Sequence, residues 1–350
     1  MTEADPDSDI CPPAEGTAVM SISGEDAFFH NAHGRFAGLT SVLNAQHLWS
    51  LSSRTDDWPT FCQQMCNLFA RYTDKMPSGV AGRKILLKNN WATPRVLVSA
   101  FQALFSTNSE KFASPLNVHP ATQHYWTLCA ADTRLGASTD AYGHDWSDAR
   151  GSAALVNPEY EDVELAKAVQ WGVHAAQRDE HACLFVYVVP CWQRKAYHTQ
   201  LCAAHLRTHR LCTIPRAAKF NFVRASYGAE PGASHFAHFA VDIWLVGNSR
   251  GLEEHLRETP ENVAALEDAI PRACTAAGTH VSTDGHATPP GDAPGARVLI
   301  TLPTEHTAAA WATPVRHDQH LAPVPCASAR AAPRQRQRPS RSCGTRARAC

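Results

Sequence analysis

No stretch of this 350-residue chain approaches about eighteen uninterrupted apolar residues, so no membrane-spanning helix is expected. The first thirty residues also lack a basic start followed by an apolar run, so no secretory signal is expected and the chain reads as intracellular. No Cys-x-x-Cys pair occurs among the twelve cysteines, which are scattered along a long chain; that distribution predicts free thiols rather than a disulfide framework. Net charge is nearly absent, with 32 basic against 33 acidic side chains, but the sum hides two polarised ends. Glu3, Asp5, Asp7, Asp9 and Glu15 open the chain with no base among them. Seven arginines between Arg330 and Arg348 close it with no acid. Both ends read as disordered, and the basic one would add sequence-independent affinity for a polyanion such as RNA or DNA.

Hydrophobic content of 44% is enough for a sizeable core, and its periodicity divides the chain. After the acidic residues 1–23, residues 24–107 read as a helical domain. Trp58, Cys62, Met65 and Phe69 recur at helical spacing, as do Val96, Leu97, Ala100, Phe101 and Leu104, with Pro94 expected one or two positions inside the start of the second helix. From 108 to 250 short apolar runs alternate with helices, the texture of an α/β sheet covered on both faces. Strands are expected near Thr127 to Ala131, Ser152 to Val156, Cys183 to Val189, Leu211 to Ile214 and Phe239 to Gly247. A helix from Glu161 to Gln177 carries Leu165, Val169, Val173 and Ala176 on one face. A further helix is expected over 251–270. Residues 271–350 read as mostly unstructured, with Leu299 to Leu302 a lone strand without a partner.

Two motifs stand out, Phe112-Ala113-Ser114-Pro115-Leu116-Asn117 and Asn157-Pro158-Glu159-Tyr160. The second sits between an apolar strand and an amphipathic helix, at the edge where open α/β sheets bind ligands. An exocyclic adenine amine is a poor nucleophile, because its lone pair is delocalised into the ring. A catalyst must hold it in line with a methyl donor. The Asn157 side-chain oxygen and the Pro158 carbonyl supply two acceptors for its N–H bonds, and the Tyr160 ring supplies a stacking surface. Stacking on one aromatic is worth roughly 1–3 kcal/mol per base, and the base must be unpaired or flipped to reach it. Glu159 occupies the place where a second proline would stiffen the corner by fixing φ and holding its predecessor extended.

With Asp132 to Tyr142, Phe185 to Trp192, Ile214-Pro215, Tyr227-Gly228, His238 and Val241 to Asn248, these motifs resemble the methyltransferase core of the phosphorylated-CTD-interacting factor family. That family methylates N6 of the first transcribed adenosine beside the mRNA cap. The resemblance covers roughly Trp91 to Asn248. It implies a Rossmann-like class I S-adenosylmethionine-dependent fold behind a helical region, a nuclear location, and capped mRNA as partner. Asn157, Pro158 and Tyr160 match the catalytic corner, and Ser114, Pro115, Leu116, Asn117, Asp132 and Gly136 would border S-adenosylmethionine. The chain shows no WW module: Trp126 and Trp146 have a WW-like separation but lie within the core segment, so binding to RNA polymerase II tails has no support.

The corner reads a base and not a sugar, so DNA adenine is an alternative substrate to RNA. Glu159 leaves open an inactive fold that only binds nucleic acid. No metal site is expected. Cys202, His205, His209 and Cys212 have a zinc-like spacing, but on a helix rising 1.5 Å per residue their ends would lie about 15 Å apart. Arg194, Lys195, Arg207, Arg210 and Arg216 beside them read as a solvated or phosphate-facing edge.

Overall fold

The structure, a computed structural model, describes residues 16–52, 57–74, 91–127, 129–148, 152–178, 180–224, 235–274, 280–282 and 297–313. The acidic start (1–15), the arginine-rich end, Leu128 and Tyr227-Gly228 lie outside the described residues.

The stretch expected to be helical begins instead as an antiparallel meander, β1 (Val19–Ser23), β2 (Asp26–His30) and β3 (Phe36–Ser41). Its period of two is visible only in Ala27 and Phe29, the buried positions of a five-residue strand, which is too short to outweigh a helical reading. The helices follow as α1 (Val42–Ser52), α2 (Trp58–Asp74) and, beyond the short strand β4 (Trp91–Ala92), α3 (Arg95–Phe105). Cys62, Met65 and Phe69 on α2 and Leu97, Phe101 and Leu104 on α3 are fully buried, as their spacing predicts, whereas Trp58 at the start of its stripe is exposed and Val96 half-buried. Pro94 is the N-cap of α3 rather than a residue inside it.

A seven-stranded sheet follows. Its strands are β5 (Ser109–Glu110), β6 (His124–Thr127), β7 (Ser138–Thr139), β8 (Ala153–Val156), β9 (Leu184–Pro190), β10 (Thr208–Ile214) and β13 (Val241–Gly247), in the order β10-β13-β9-β8-β5-β6-β7. Pairing is parallel from β7 through β9; β13 alone runs the other way, antiparallel to both β9 and β10. Every residue of β8, β9 and β13 is buried, as expected of strands covered on both faces. The strand placed at Thr127 to Ala131 ends at Thr127, and a 3-10 turn takes over from Ala130 to Leu135.

Among the described residues no α-helix connects β5 to β6 or β6 to β7. The N-terminal elements do the covering: Phe29, Leu48, Phe61 and Phe69 share one buried cluster with Leu116, Val118, Tyr125 and Leu135. Helix α4 (Asp162–Gln177) covers the other half of the sheet, burying Leu165, Val169, Val173 and Ala176. Beyond β9 come α5 (Ala196–Ala203), and a small sheet in which β11 (Asn221–Arg224) pairs with β12 (His235–Phe236) and β4.

The helix expected over 251–270 is two helices, α6 (Ser249–His255) and α7 (Pro260–Arg272). Thr259 ends the break by capping α7 ahead of Pro260, its hydroxyl accepting from the Asn262 amide at 3.3 Å. The strand expected to be alone has a partner. Strand β15 (Arg297–Leu299) pairs in parallel with β14 (His280–Ser282), and Thr301 N donates to Leu211 O on the edge strand β10. Helix α8 (Glu305–Ala312) then buries Trp311, whose carbonyl accepts from the buried Arg207 guanidinium. Part of the segment read as unstructured therefore covers a sheet edge that would otherwise present unpaired backbone. Among the described residues no helix is long and apolar enough to cross a membrane, and the eight cysteines described are free thiols.

Candidate functional site

The chain runs outward from β5 through β6 to β7 and then returns to β8 on the other side, so the switch of direction falls between β5 and β8. Crevices for ligands open at the C-terminal ends of strands at such a point. The Phe112 to Asn117 loop leaves β5 there, and the Asn157 to Tyr160 corner leaves β8. The loop remains tied to both neighbours: Lys111 N donates to Leu155 O, and Ala113 N donates to Trp126 O, each at 3.0 Å. A small cavity of about 10 Å³, room for about one water molecule, lies between the two motifs, lined by Phe112 and Asn117 from one and by Asn157 from the other, with Trp91, Thr93 and Glu110 completing its polar wall.

Within the corner the polar groups are already engaged. Asn157 Nδ2 donates to Trp91 O at 2.7 Å, and Asn157 Oδ1 accepts the Tyr160 hydroxyl at 2.8 Å. Tyr160 is buried, its ring in edge contact with Trp91, Phe222 and Phe239 at 5.6–6.0 Å. The expected stacking platform is therefore enclosed. The half-buried rings beside it are Trp91, Trp192 and Phe239, of which Trp91 and Phe239 stack on each other at 6.3 Å. Pro158 is buried and Glu159 half-buried.

The six residues expected around the cofactor separate. Asn117 lines the cavity, while its Oδ1 accepts from the Ser114 amide (2.6 Å) and hydroxyl (3.0 Å), closing the loop on itself. The Pro115 carbonyl accepts from Asn44, and Leu116 belongs to the core cluster shared with the N-terminal helices. Asp132 is fully buried and accepts from Arg71 (2.6 Å), Tyr72 (2.9 Å) and Thr127 (2.8 Å). Gly136 has φ of +84°, and a Cβ there would lie 2.6 Å from that of Leu51. Asp132 and Gly136 thus dock α1 and α2 onto the sheet, a role that sequence cannot reveal because it depends on which helix covers that face.

Two buried ionisable groups at the end of β5 escaped the sequence reading. Burial pushes the Glu110 carboxyl up to about 7, against the His119 amide and Thr122 hydroxyl that donate to it. Burial brings the Lys111 amine down to about 7, against the pull of Asp148 and Asp145. Lys111 Nζ lies 4.0 Å from the Trp126 ring centre and 3.2 Å from His144 Nε2, with Trp126 and His144 stacked at 4.4 Å. The only sequence signal was two opposite charges directly before Phe112, where a strand should end.

No protein-family model matches the chain, and no curated protein matches it.

The zinc-like array does not converge. Cys202 is on α5 and His205 in the turn after it, while His209 and Cys212 lie on β10, where His209 bonds Thr301 O and Cys212 is buried. Of the cations beside it, Arg207 is buried rather than solvated and Lys195 pairs with Asp162 at 2.5 Å; Arg194, Arg210 and Arg216 are exposed.

Proposed function

We propose that the chain transfers a methyl group from S-adenosylmethionine to adenine N6 in RNA, with the cap-adjacent 2'-O-methyladenosine of mRNA as the substrate that the resemblance points to. The observation that carries this reading is the meeting of the two motifs at the switch point, with Asn117 and Asn157 on one cavity. The sheet order supports it. An interior β5, a run outward from it to either side, and a single reversed strand before one edge is the arrangement of Rossmann-like methyltransferases, although a fold alone carries no activity.

The cavity's polar wall suits the amino-acid end of the cofactor. Thr93 Oγ1 is buried there without a hydrogen-bond partner among the described residues, next to Glu110 and the Asn117 amide, and these three would hold that end. When bound, S-adenosylmethionine would supply an electrophilic methyl group. At about 10 Å³ the cavity is far below the roughly 300–1,000 Å³ of typical ligand sites, so the reading requires the corner to open widely. Asn157 orients the adenine amine: an amide oxygen accepts two hydrogen bonds, and the Tyr160 hydroxyl occupies one. Trp91, Trp192 and Phe239 form the apolar surface that receives the base and excludes water. Arg194 and Arg216, exposed just past the C-terminal ends of β9 and β10, lie on the same sheet edge and suit phosphate contacts.

One observation favours a second reading, a fold that binds nucleic acid without catalysis. The Asp132 carboxylate is consumed by Arg71 and Tyr72, and the corner acceptor is shared with Tyr160. Incubation with methyl-labelled S-adenosylmethionine and capped RNA, uncapped RNA or single-stranded DNA separates the alternatives. Label in capped RNA above the other two supports the proposal, label mainly in DNA moves the substrate class, and label in none supports the second reading.

A further inference from the structure

A separate constellation lies on the same sheet edge, beyond β9. Cys191 directly follows β9, His198 is on α5, and Asp242 is on β13, where it pairs with Val189 on one side and Thr213 on the other. One ligand atom from each of the three lies within 4.8 Å of the other two. No sequence spacing announces this group, because its members come from three elements.

His198 and Asp242 lie at ion-pair distance inside the group, without hydrogen-bond geometry between them. Asp242 is 0% exposed and His198 5%, and His198 Nε2 and Asp242 Oδ2 face each other at 3.3 Å. Neither atom finds a hydrogen-bond partner of acceptable geometry among the described residues. A buried carboxylate oxygen and a buried ring nitrogen left this way cost free energy, offset in part by the Cys191 thiol, which burial and the Asp242 carboxylate it hydrogen-bonds push up to about 11. Nitrogen and oxygen ligands each about 2.0–2.1 Å from zinc, at the tetrahedral angle, lie about 3.3–3.4 Å apart. The separation matches that of two ligands sharing one ion.

Their other atoms are held as ligands' outer atoms usually are. Asp242 Oδ1 accepts the Thr213 hydroxyl at 2.6 Å, and His198 Nδ1 lies 3.6 Å from Cys202 Sγ. Those contacts leave Oδ2 and Nε2 as the atoms directed into the group. A thiolate and a carboxylate with a neutral imidazole balance a divalent charge, as a buried site requires. Cys191 is half-buried, which gives the ion a way in and leaves its fourth position to water.

We propose that Cys191, His198 and Asp242 bind one zinc ion, a borderline-soft cation suited to sulfur, nitrogen and oxygen donors together. The ion joins β9, α5 and β13 beside the candidate site. Trp192, next to Cys191, packs on Phe239 at 5.5 Å, and Phe239 packs on Tyr160 at 5.9 Å, so the same ion stiffens the aromatic wall behind the corner.

The test uses the full chain, stripped with chelator, re-equilibrated with zinc and desalted, and in parallel loaded with cobalt(II). The proposal expects one zinc retained per chain and a cobalt spectrum with a near-ultraviolet thiolate charge-transfer band and intense tetrahedral visible bands. Cys191→Ser should remove the thiolate band and weaken zinc binding by more than the roughly 10–100-fold that losing an outer-shell partner alone costs. His198→Gln and Asp242→Asn should each weaken it to a similar degree, while His209→Ala leaves it unchanged. Failure of the parent to retain stoichiometric zinc overturns the proposal. So does a cobalt form without a thiolate band, or metal loss in His209→Ala with retention in Cys191→Ser. Should the core variants Asp242→Asn or His198→Gln not fold, the parent spectrum and the half-exposed Cys191→Ser still decide.

Discussion

Glu110 and Lys111 are neighbours in sequence, and burial displaces their ionisation in opposite directions, the carboxyl from 4.5 up to about 7 and the amine from 10.5 down to about 7. Between pH 4.5 and 7 the folded chain keeps a proton on Glu110 that the unfolded chain releases, so this group's contribution is whole below 4.5 and is lost as pH rises through 7. Between pH 7 and 10.5 the unfolded chain binds a proton on Lys111 that the folded chain excludes, so the contribution of Lys111 is whole above 10.5 and is lost as pH falls through 7. Each displaced proton changes stability by about 1.4 kcal/mol per pH unit, giving about 3 kcal/mol for Glu110 and about 5 kcal/mol for Lys111. Together they put a minimum in stability near neutrality. Urea unfolding from pH 5 to 10, taken as the difference between parent and variant, isolates each arm from other groups such as His119, whose lowered pKa works the opposite way in acid. Glu110→Gln should flatten the acid arm alone and Lys111→Met the alkaline arm alone. Parallel pH profiles for parent and both variants would refute the assignment of buried, displaced charges to the end of β5.

The remaining predictions concern packing and the corner. Asp132→Asn leaves Arg71, Tyr72 and Thr127 without their carboxylate and should cost about 3 kcal/mol in urea unfolding, with little change if the contacts are solvent-like. Gly251→Ala would bring a Cβ to 2.0 Å from the Cys183 carbonyl oxygen; about 3 kcal/mol or more should be lost, read as a lower Tm. Tyr160→Phe removes the hydroxyl shared with Asn157 and should cost about 1 kcal/mol of stability, while methyl transfer rises up to about tenfold as the acceptor is released. A fall in transfer in Tyr160→Phe would mean that the hydroxyl positions Asn157 rather than competing for it.

The strands legible in the sequence were those with continuous apolar runs. Strands β8, β9 and β13 and helix α4 fall within a residue or two of their expected limits, because length and burial on both faces leave a strong pattern. The two-residue strands β5 and β7 left none, although β5 lies inside the sheet between β8 and β6. That gap had a consequence: without β5, Glu110 and Lys111 could not be seen as the end of a strand facing the crevice. The N-terminal meander was lost for a related reason, its short strands being held by pairing and by α2 rather than by local preference. Asp132 and Gly136 carried the right residue types for a cofactor border, yet the helices that replace the missing crossovers claim both. The enclosure of Tyr160 was not readable either, since the rings around it come from β4, from β11 and from the turn before β13.

The central claim is that Asn157 orients an adenine amine at the crevice between β5 and β8. Its most direct test is nucleoside analysis of capped, adenosine-initiated RNA after incubation with the chain and S-adenosylmethionine, beside Asn157→Ala. The account predicts methyl on adenine N6 with the parent and at least a hundredfold less with Asn157→Ala, the loss expected when one positioned acceptor is removed from a transition state. Methyl at another position, or equal N6 methylation by parent and variant, would contradict it.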